Sequence, residues 1–254
     1  MSEQPVLVWF RQDLRLADNP ALAEAVKTGK PVLALYILDD ATPGKWAMGG
    51  ASRWWLHGSL KELSENLKRH GVQLILRRGR AADVLDAIIT ASGADTVYWN
   101  RQYEPYAIAR DKDLKASLKS RNISAESFGA SLLFEPWELK SQSGTPFKVF
   151  TPFYKTALKL PPPRKPLPAP KSIVASDKTL PGNNLRDWGL LPLKPDWAAG
   201  LRKAWAPGEV GAEKRLKDFL AGKIGGYQRG RDIPGEQLTS RLSPHLHFGE
   251  ISPH

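Results

Sequence analysis

Thr239, Ser240 and Ser243 set three hydroxyls around Arg241 within five positions of this sequence. Ser243-Pro244 reads as an N-cap followed by a proline at the first helical position. A helix start offers free amides and the positive end of the backbone dipole, both of which favour an anion. Hydroxyls, a guanidinium and a helix start together predict a contact to a phosphate or pyrophosphate. The polar stretch runs from Tyr227 to Ser252, and the sequence stops two residues later, at His254. The remaining walls of such a site are therefore expected to lie outside this chain.

Other chemistry is scarce. The sequence has no cysteine, which excludes disulfides, thiol nucleophiles and cysteine-based metal sites. Its five histidines are His57, His70, His245, His247 and His254. His245 and His247 are two apart and would not share a helix face. No carboxylate constellation accompanies them, so no metal site is expected. The formal net charge of +11 points to a polyanionic partner, nucleic acid before a membrane surface. The N-terminus lacks a signal-peptide pattern and no apolar run reaches membrane-spanning length. These readings predict a cytoplasmic protein with no membrane partner.

The first 130 residues must supply the scaffold. Val6–Phe10, Pro31–Leu38, Val72–Leu76 and Thr96–Trp99 are short apolar runs of the kind buried on both faces of a sheet. Ile123–Phe128 is a weaker fifth strand. Helical patterns separate them. Asp18-Asn19-Pro20 starts one that runs to Val26. Gly49–His70 carries Leu56, Leu60, Leu63 and Leu67 on one stripe. Ala81–Ala91 and Ile108–Arg121 complete the alternation. This order predicts an α/β fold, a doubly wound, parallel, five-stranded Rossmann-like sheet. Ligands in such sheets bind at the carboxyl ends of the strands. Those ends carry Arg11, Asp13 and Arg15, then Asp39 and Asp40, Arg77 and Arg78, and Asn100, Arg101 and Gln102.

Composition changes after about residue 155. Nine of the 21 prolines fall between Leu160 and Lys203, with eight Lys/Arg against three Asp. Such a stretch should be extended, partly polyproline-like, and wrapped over a surface. Helical spacing returns with Leu216, Phe219 and Leu220 in 212–224. The expected organisation is an α/β domain at 1–130, a closing segment and proline-rich linker at 131–210, and the truncated start of a helical domain at 211–254.

Taken together, these residues resemble the DNA photolyase/cryptochrome family over nearly the whole chain. The matching strings are Trp9-Phe-Arg-Gln-Asp-Leu-Arg15 with Asp18-Asn-Pro-Ala-Leu22, Ser52-Arg-Trp-Trp-Leu56, Val149-Phe-Thr-Pro-Phe153, and Tyr227-x-x-x-Arg231-Asp232. Thr239-Ser-Arg-Leu-Ser-Pro244 and Phe248-Gly-Glu-Ile-Ser252 follow. The resemblance implies FAD in an all-helical C-terminal domain, of which 211–254 is the beginning. It implies light-driven electron transfer from reduced flavin to a cyclobutane pyrimidine dimer flipped out of UV-damaged DNA. Tyr227, Thr239, Ser240, Arg241, Leu242 and Ser243 match positions that hold FAD. Arg231 matches a position on the DNA backbone, where a guanidinium grips phosphate without sequence preference. A surface ion pair with Asp232 or Glu236 is the plainer reading of Arg231.

The family's tryptophan electron relay and lesion pocket have no counterpart in these residues. No catalytic residue is expected within this chain, which alone should bind FAD poorly and repair nothing. Trp9, Trp54, Trp55 and Trp99 are read as packing groups. Many members hold a folate or deazaflavin antenna chromophore. Where folate binders carry an Asn-Glu pair, this sequence has Tyr106 and Ala107, which leaves the antenna's identity open. The family resemblance implies a monomer. Two other functions fit parts of the sequence: a cryptochrome-type flavin photoreceptor without repair activity, and a stand-alone nucleotide-binding module, which leaves the stretch from Thr239 to Ser252 without a purpose.

Overall fold

A computed structural model of the chain describes residues 4–141 and 143–254. Five strands form one parallel sheet in the order β3-β2-β1-β4-β5. They are β1 (Val6–Phe10), β2 (Val32–Leu38), β3 (Leu74–Arg78), β4 (Thr96–Asn100) and β5 (Ser124–Phe128). Every residue of β1, β2 and β4 is buried, as two-sided coverage requires. Helices α1 (Pro20–Lys27) and α2 (Gly50–Arg69) cover one face, where Leu22, Leu56, Leu60 and Leu67 meet Val6, Val8 and Phe10. Helices α3 (Ala81–Ser92) and α4 (Pro105–Ser120) cover the other, where Leu85, Ile88 and Leu114 meet Leu7, Trp9 and Trp99. The doubly wound α/β expectation holds.

Local chemistry explains the ends. Asn19 caps α1 by accepting the Leu22 amide at 3.1 Å. Pro105 opens α4 at a position where its missing N–H is harmless, three residues before the expected Ile108. Strand β3 begins at Leu74, paired with Ala34, and runs through Arg77 and Arg78. It lies at the sheet edge, where charged side chains reach solvent.

Residues 161–184 form no helix and no strand beyond a single bridge from Ala175 to Val32, as the prolines favour, and they run past β2 and β3. The Val32 amide donates to Val174 O at 2.8 Å, and that of Asn183 to Leu76 O at 2.8 Å. The wider segment is less uniform than expected, because it contains α5 (Phe150–Ala157) and α6 (Ala199–Ala204). Beyond it come α7 (Glu209–Gly222), α8 (Tyr227–Gly230) and the single turn α9 (Ser243–His247). No helix among the described residues is long and apolar enough to cross a membrane.

Candidate functional site

The residues singled out near the end of the chain are brought together by close packing. A Cβ at Gly230 would lie 2.3 Å from that of Leu238, so only glycine lets α8 meet the segment that leads into the turn. This contact sets Tyr227 and the Thr239–Ser243 turn on neighbouring segments. Tyr227 is 41% exposed and meets Phe219 of α7 edge-on at 5.8 Å. Thr239, Ser240, Arg241 and Leu242 are half-buried, whereas Ser243 is exposed. Arg241 has φ 54°, and its guanidinium lies 4.3 Å from the Trp205 ring centre. Left-handed backbone is uncommon for a residue with a Cβ and is often retained where function requires it.

One expectation fails. Ser243 is the first residue of α9, not its cap; the flanking residue is Leu242, in right-handed helical backbone, and no side chain caps the helix. The hydroxyl that does serve locally is Ser240 Oγ, which accepts the Leu242 amide at 3.4 Å. The anion signal thus rests on Arg241 and the hydroxyls more than on a helix start. Arg231 is exposed, and its Nε stands 3.6 Å from Asp232 while Glu236 bonds Arg229 at 2.6 Å. Such an exposed pair is weak and leaves the guanidinium available.

A second arrangement was not anticipated. Glu250 is 1% exposed, and its Oε1 accepts the Trp55 indole N–H at 2.8 Å, the Gly208 amide at 2.7 Å and the Ser59 hydroxyl at 2.5 Å. Its Oε2 lies 2.5 Å from His245 Nδ1. Phe248 stacks on Trp55 at 6.1 Å, with only 11° between the planes. Gly249 has φ 64°, and a Cβ there would stand 2.1 Å from Gln12 O. Arg15 Nη1 donates to Gly249 O at 2.9 Å. The terminal segment is thereby fastened to α2, to the start of α7 and to the loop after β1. The only trace of this in the sequence is the family string Phe248–Ser252.

The carboxyl ends of the strands enclose a cavity of about 600 Å³. Several polar residues expected to bind there are consumed internally. Arg11 donates twice to Asp111, at 2.9 and 2.8 Å, and stacks on Trp9 at 4.7 Å. Burial pushes its pKa down, and Asp111 opposes that. Arg15 donates to the carbonyls of Asp18, Ala130 and Gly249. Asp13 accepts the Asn100 amide at 2.5 Å. Asp39 holds the Thr42 and Ala81 amides, and Asp40 pairs with Arg53 and Arg78. Tyr106, Trp46 and Trp9 also line the cavity, together with Arg110, which is itself paired with Asp111 at 2.9 Å and donates to Gln102 at 2.9 Å. Trp9 has a buried indole N–H without an acceptor. Tyr106 lines the cavity while Ala107 is fully buried.

Trp9 and Trp99 meet edge-on at 6.0 Å in the core, and Trp54 and Trp55 are 6% and 5% exposed with rings 77° apart. All four pack as read from the sequence.

Comparison with known proteins places these features. The family model described as DNA photolyase matches residues 6–171. A deoxyribodipyrimidine photo-lyase of Agrobacterium fabrum is 46% identical over 249 residues, 98% of this chain and 51% of that protein. Cryptochrome-1 of Arabidopsis thaliana is 39% identical over 253 residues, 97% of this chain and 36% of that protein. The crystal structure of a bacterial class III photolyase from Agrobacterium tumefaciens superposes with TM-score 0.94 at 45% identity, covering 100% of this chain and 52% of the other. The chain spans about half the length of the curated photolyases it matches.

Proposed function

Because the chain belongs to the DNA photolyase family, we propose that it forms the amino-terminal half of a light-driven lyase that splits cyclobutane pyrimidine dimers with FAD. The observation that carries the reading is the half-buried Arg241, in left-handed backbone among hydroxyls and without an ion pair among the described residues. That donor set fits a pyrophosphate. Tyr227, Thr239, Ser240, Leu242 and Ser243 would complete this wall of the flavin site. When bound, the reduced flavin supplies the photoexcited electron that breaks the dimer. This chain's residues bind and orient; none of them is catalytic. Arg231, exposed beside the turn, would hold a phosphate of UV-damaged DNA. The protein would act as a monomer in the cytoplasm.

The cavity at the strand ends fits a second, light-gathering chromophore. Trp9 offers an unsatisfied buried N–H and Tyr106 a phenol where folate binders have an amide, beside Arg110, whose charge is already paired with Asp111. The chemistry at position 106 supports a chromophore held differently from a folate bound by an Asn-Glu pair.

The test extends the polypeptide to the length of its relatives and measures repair of dimer-containing DNA under blue light. Light-dependent repair is expected. Flavin binding without repair would instead favour a cryptochrome-type photoreceptor.

A further inference from the structure

We propose that the segment from Arg241 to Glu250 couples the strand-end cavity to the Thr239–Ser243 turn, so that occupation of either place steadies the other. What the two places bind rests on the readings above; the coupling does not, because it is a property of the segment. The segment belongs to both places. His247 and Phe248 line the cavity. Helix α9 leads to them straight from the turn, with the Leu246 amide donating to Leu242 O at 2.9 Å and the Phe248 amide to Pro244 O at 3.0 Å. A second connection runs through side chains. Phe248 lies flat on Trp55, Trp55 meets Trp205 edge-on at 5.3 Å, and the Arg241 guanidinium sits 4.3 Å from the Trp205 ring centre. His245 completes the group, 5.1 Å from the Trp55 ring and 6.4 Å from that of Trp205. Side chains packed this closely transmit strain from one end of the group to the other.

Coupling between two places needs an element with two states that both places bias. Here the states are the segment docked and the segment lifted. Among the described residues a single backbone–backbone bond joins the segment to the sheet domain, from the Leu14 amide to Phe248 O at 3.2 Å. The other bonds to that domain involve side chains: Arg15 on Gly249 O, and the Trp55 and Ser59 donors on Glu250. A single helical turn held this way opens far more readily than β1 or β4, which are bonded on both edges inside the sheet. A ligand in the cavity meets the wall made by His247 and Phe248 only in the docked state. An anion at the turn meets Arg241 steadied on Trp205 only in the same state. Each ligand therefore favours docking, and by linkage each raises the affinity for the other.

The test is amide hydrogen exchange of the 254-residue chain, followed by NMR in wild type, Arg241→Gln and Phe248→Leu. Leu14 reports docking beside the cavity, Leu242 reports the turn, and Val8 and Tyr98 report the sheet itself. Arg241→Gln is expected to speed exchange at Leu14 about threefold, the scale of a lost cation–π contact, with Val8 and Tyr98 unchanged. Phe248→Leu is expected to speed exchange at Leu242; if it loosens the whole sheet, Arg241→Gln carries the test, because it alters no buried group. A Leu14 rate that stays at the wild-type value in Arg241→Gln, or rises no more than that of Val8, overturns the coupling. The polypeptide extended to the length of its relatives is then compared with and without FAD. Slower exchange at Leu14 on binding FAD is expected. A yellow protein in which FAD leaves Leu14 unchanged overturns the coupling and spares the flavin reading. A colourless extended protein, with the Arg241→Gln effect on Leu14 intact in the 254-residue chain, sinks the flavin reading and leaves the coupling standing.

Discussion

The indole N–H of Trp55 donates to Glu250 Oε1 at 2.8 Å, joining residues 195 positions apart. Three further donors converge on the same buried carboxyl group. Glu250→Ala would strand all of them, and breaking such a network by removing one partner costs about 3–5 kcal/mol. Urea unfolding of Glu250→Ala should show a loss of that size; a loss below about 1 kcal/mol would mean the network is not holding the segment.

Gly249 should tolerate no side chain. Its φ of 64° and the 2.1 Å approach to Gln12 O leave no room for a Cβ. Gly249→Ala is expected to destabilise by more than about 2 kcal/mol and to release the terminal segment to proteolysis. Unchanged protease resistance would contradict the docking described.

Arg11 is a buried fork over Trp9, bonded twice to Asp111. Arg11→Lys keeps the charge but loses the bidentate geometry. It should therefore destabilise by about 2–3 kcal/mol in thermal or chemical unfolding, not behave as a conservative change.

Asp18 ties the proline-rich segment to the sheet through Arg164 at 2.5 Å and the Leu167 amide at 2.8 Å. Burial alone would raise its pKa, but the bonds from Arg164, Leu167 and Ser252 outweigh it and hold the pKa below the ordinary value. A depressed folded pKa stabilises the fold above the unfolded value, near 3.9, and that contribution is lost as pH falls through the folded value. Wild type should exceed Asp18→Asn by about 1–3 kcal/mol at neutral pH, and the gap should close on acidification below about pH 4. A gap that stays constant with pH would remove the carboxylate from the explanation.

What could be read from the sequence was what depends on neighbours along the chain. Val6–Phe10 declares itself because five consecutive apolar residues have no other use than a strand covered on both faces. Asn19 and Pro20 mark the start of α1 by local hydrogen bonding alone. Helix α4 starts at Pro105 and not at Ile108, because proline at the first helical position lets the helix begin before its apolar pattern does. Ser243 does not cap α9, because a serine before proline is a cap only if its own backbone is extended, and here the helix begins at Ser243 itself. Glu250 is not legible in the sequence because its role comes from Trp55, Ser59 and Gly208, none of them near it along the chain. Arg11, Asp13 and Arg15 looked like ligand groups at the strand ends, but tertiary packing turned them inward to Asp111, Asn100 and three carbonyls.

The turn at Thr239–Ser243 is proposed to grip a flavin dinucleotide. The most direct measurement is the absorption spectrum of the polypeptide extended to the length of its relatives, purified beside its Arg241→Gln variant. Stoichiometric FAD in the wild type and a clear loss in the variant are the predicted result. A wild-type protein that emerges folded and colourless, and stays so after incubation with FAD, would contradict it.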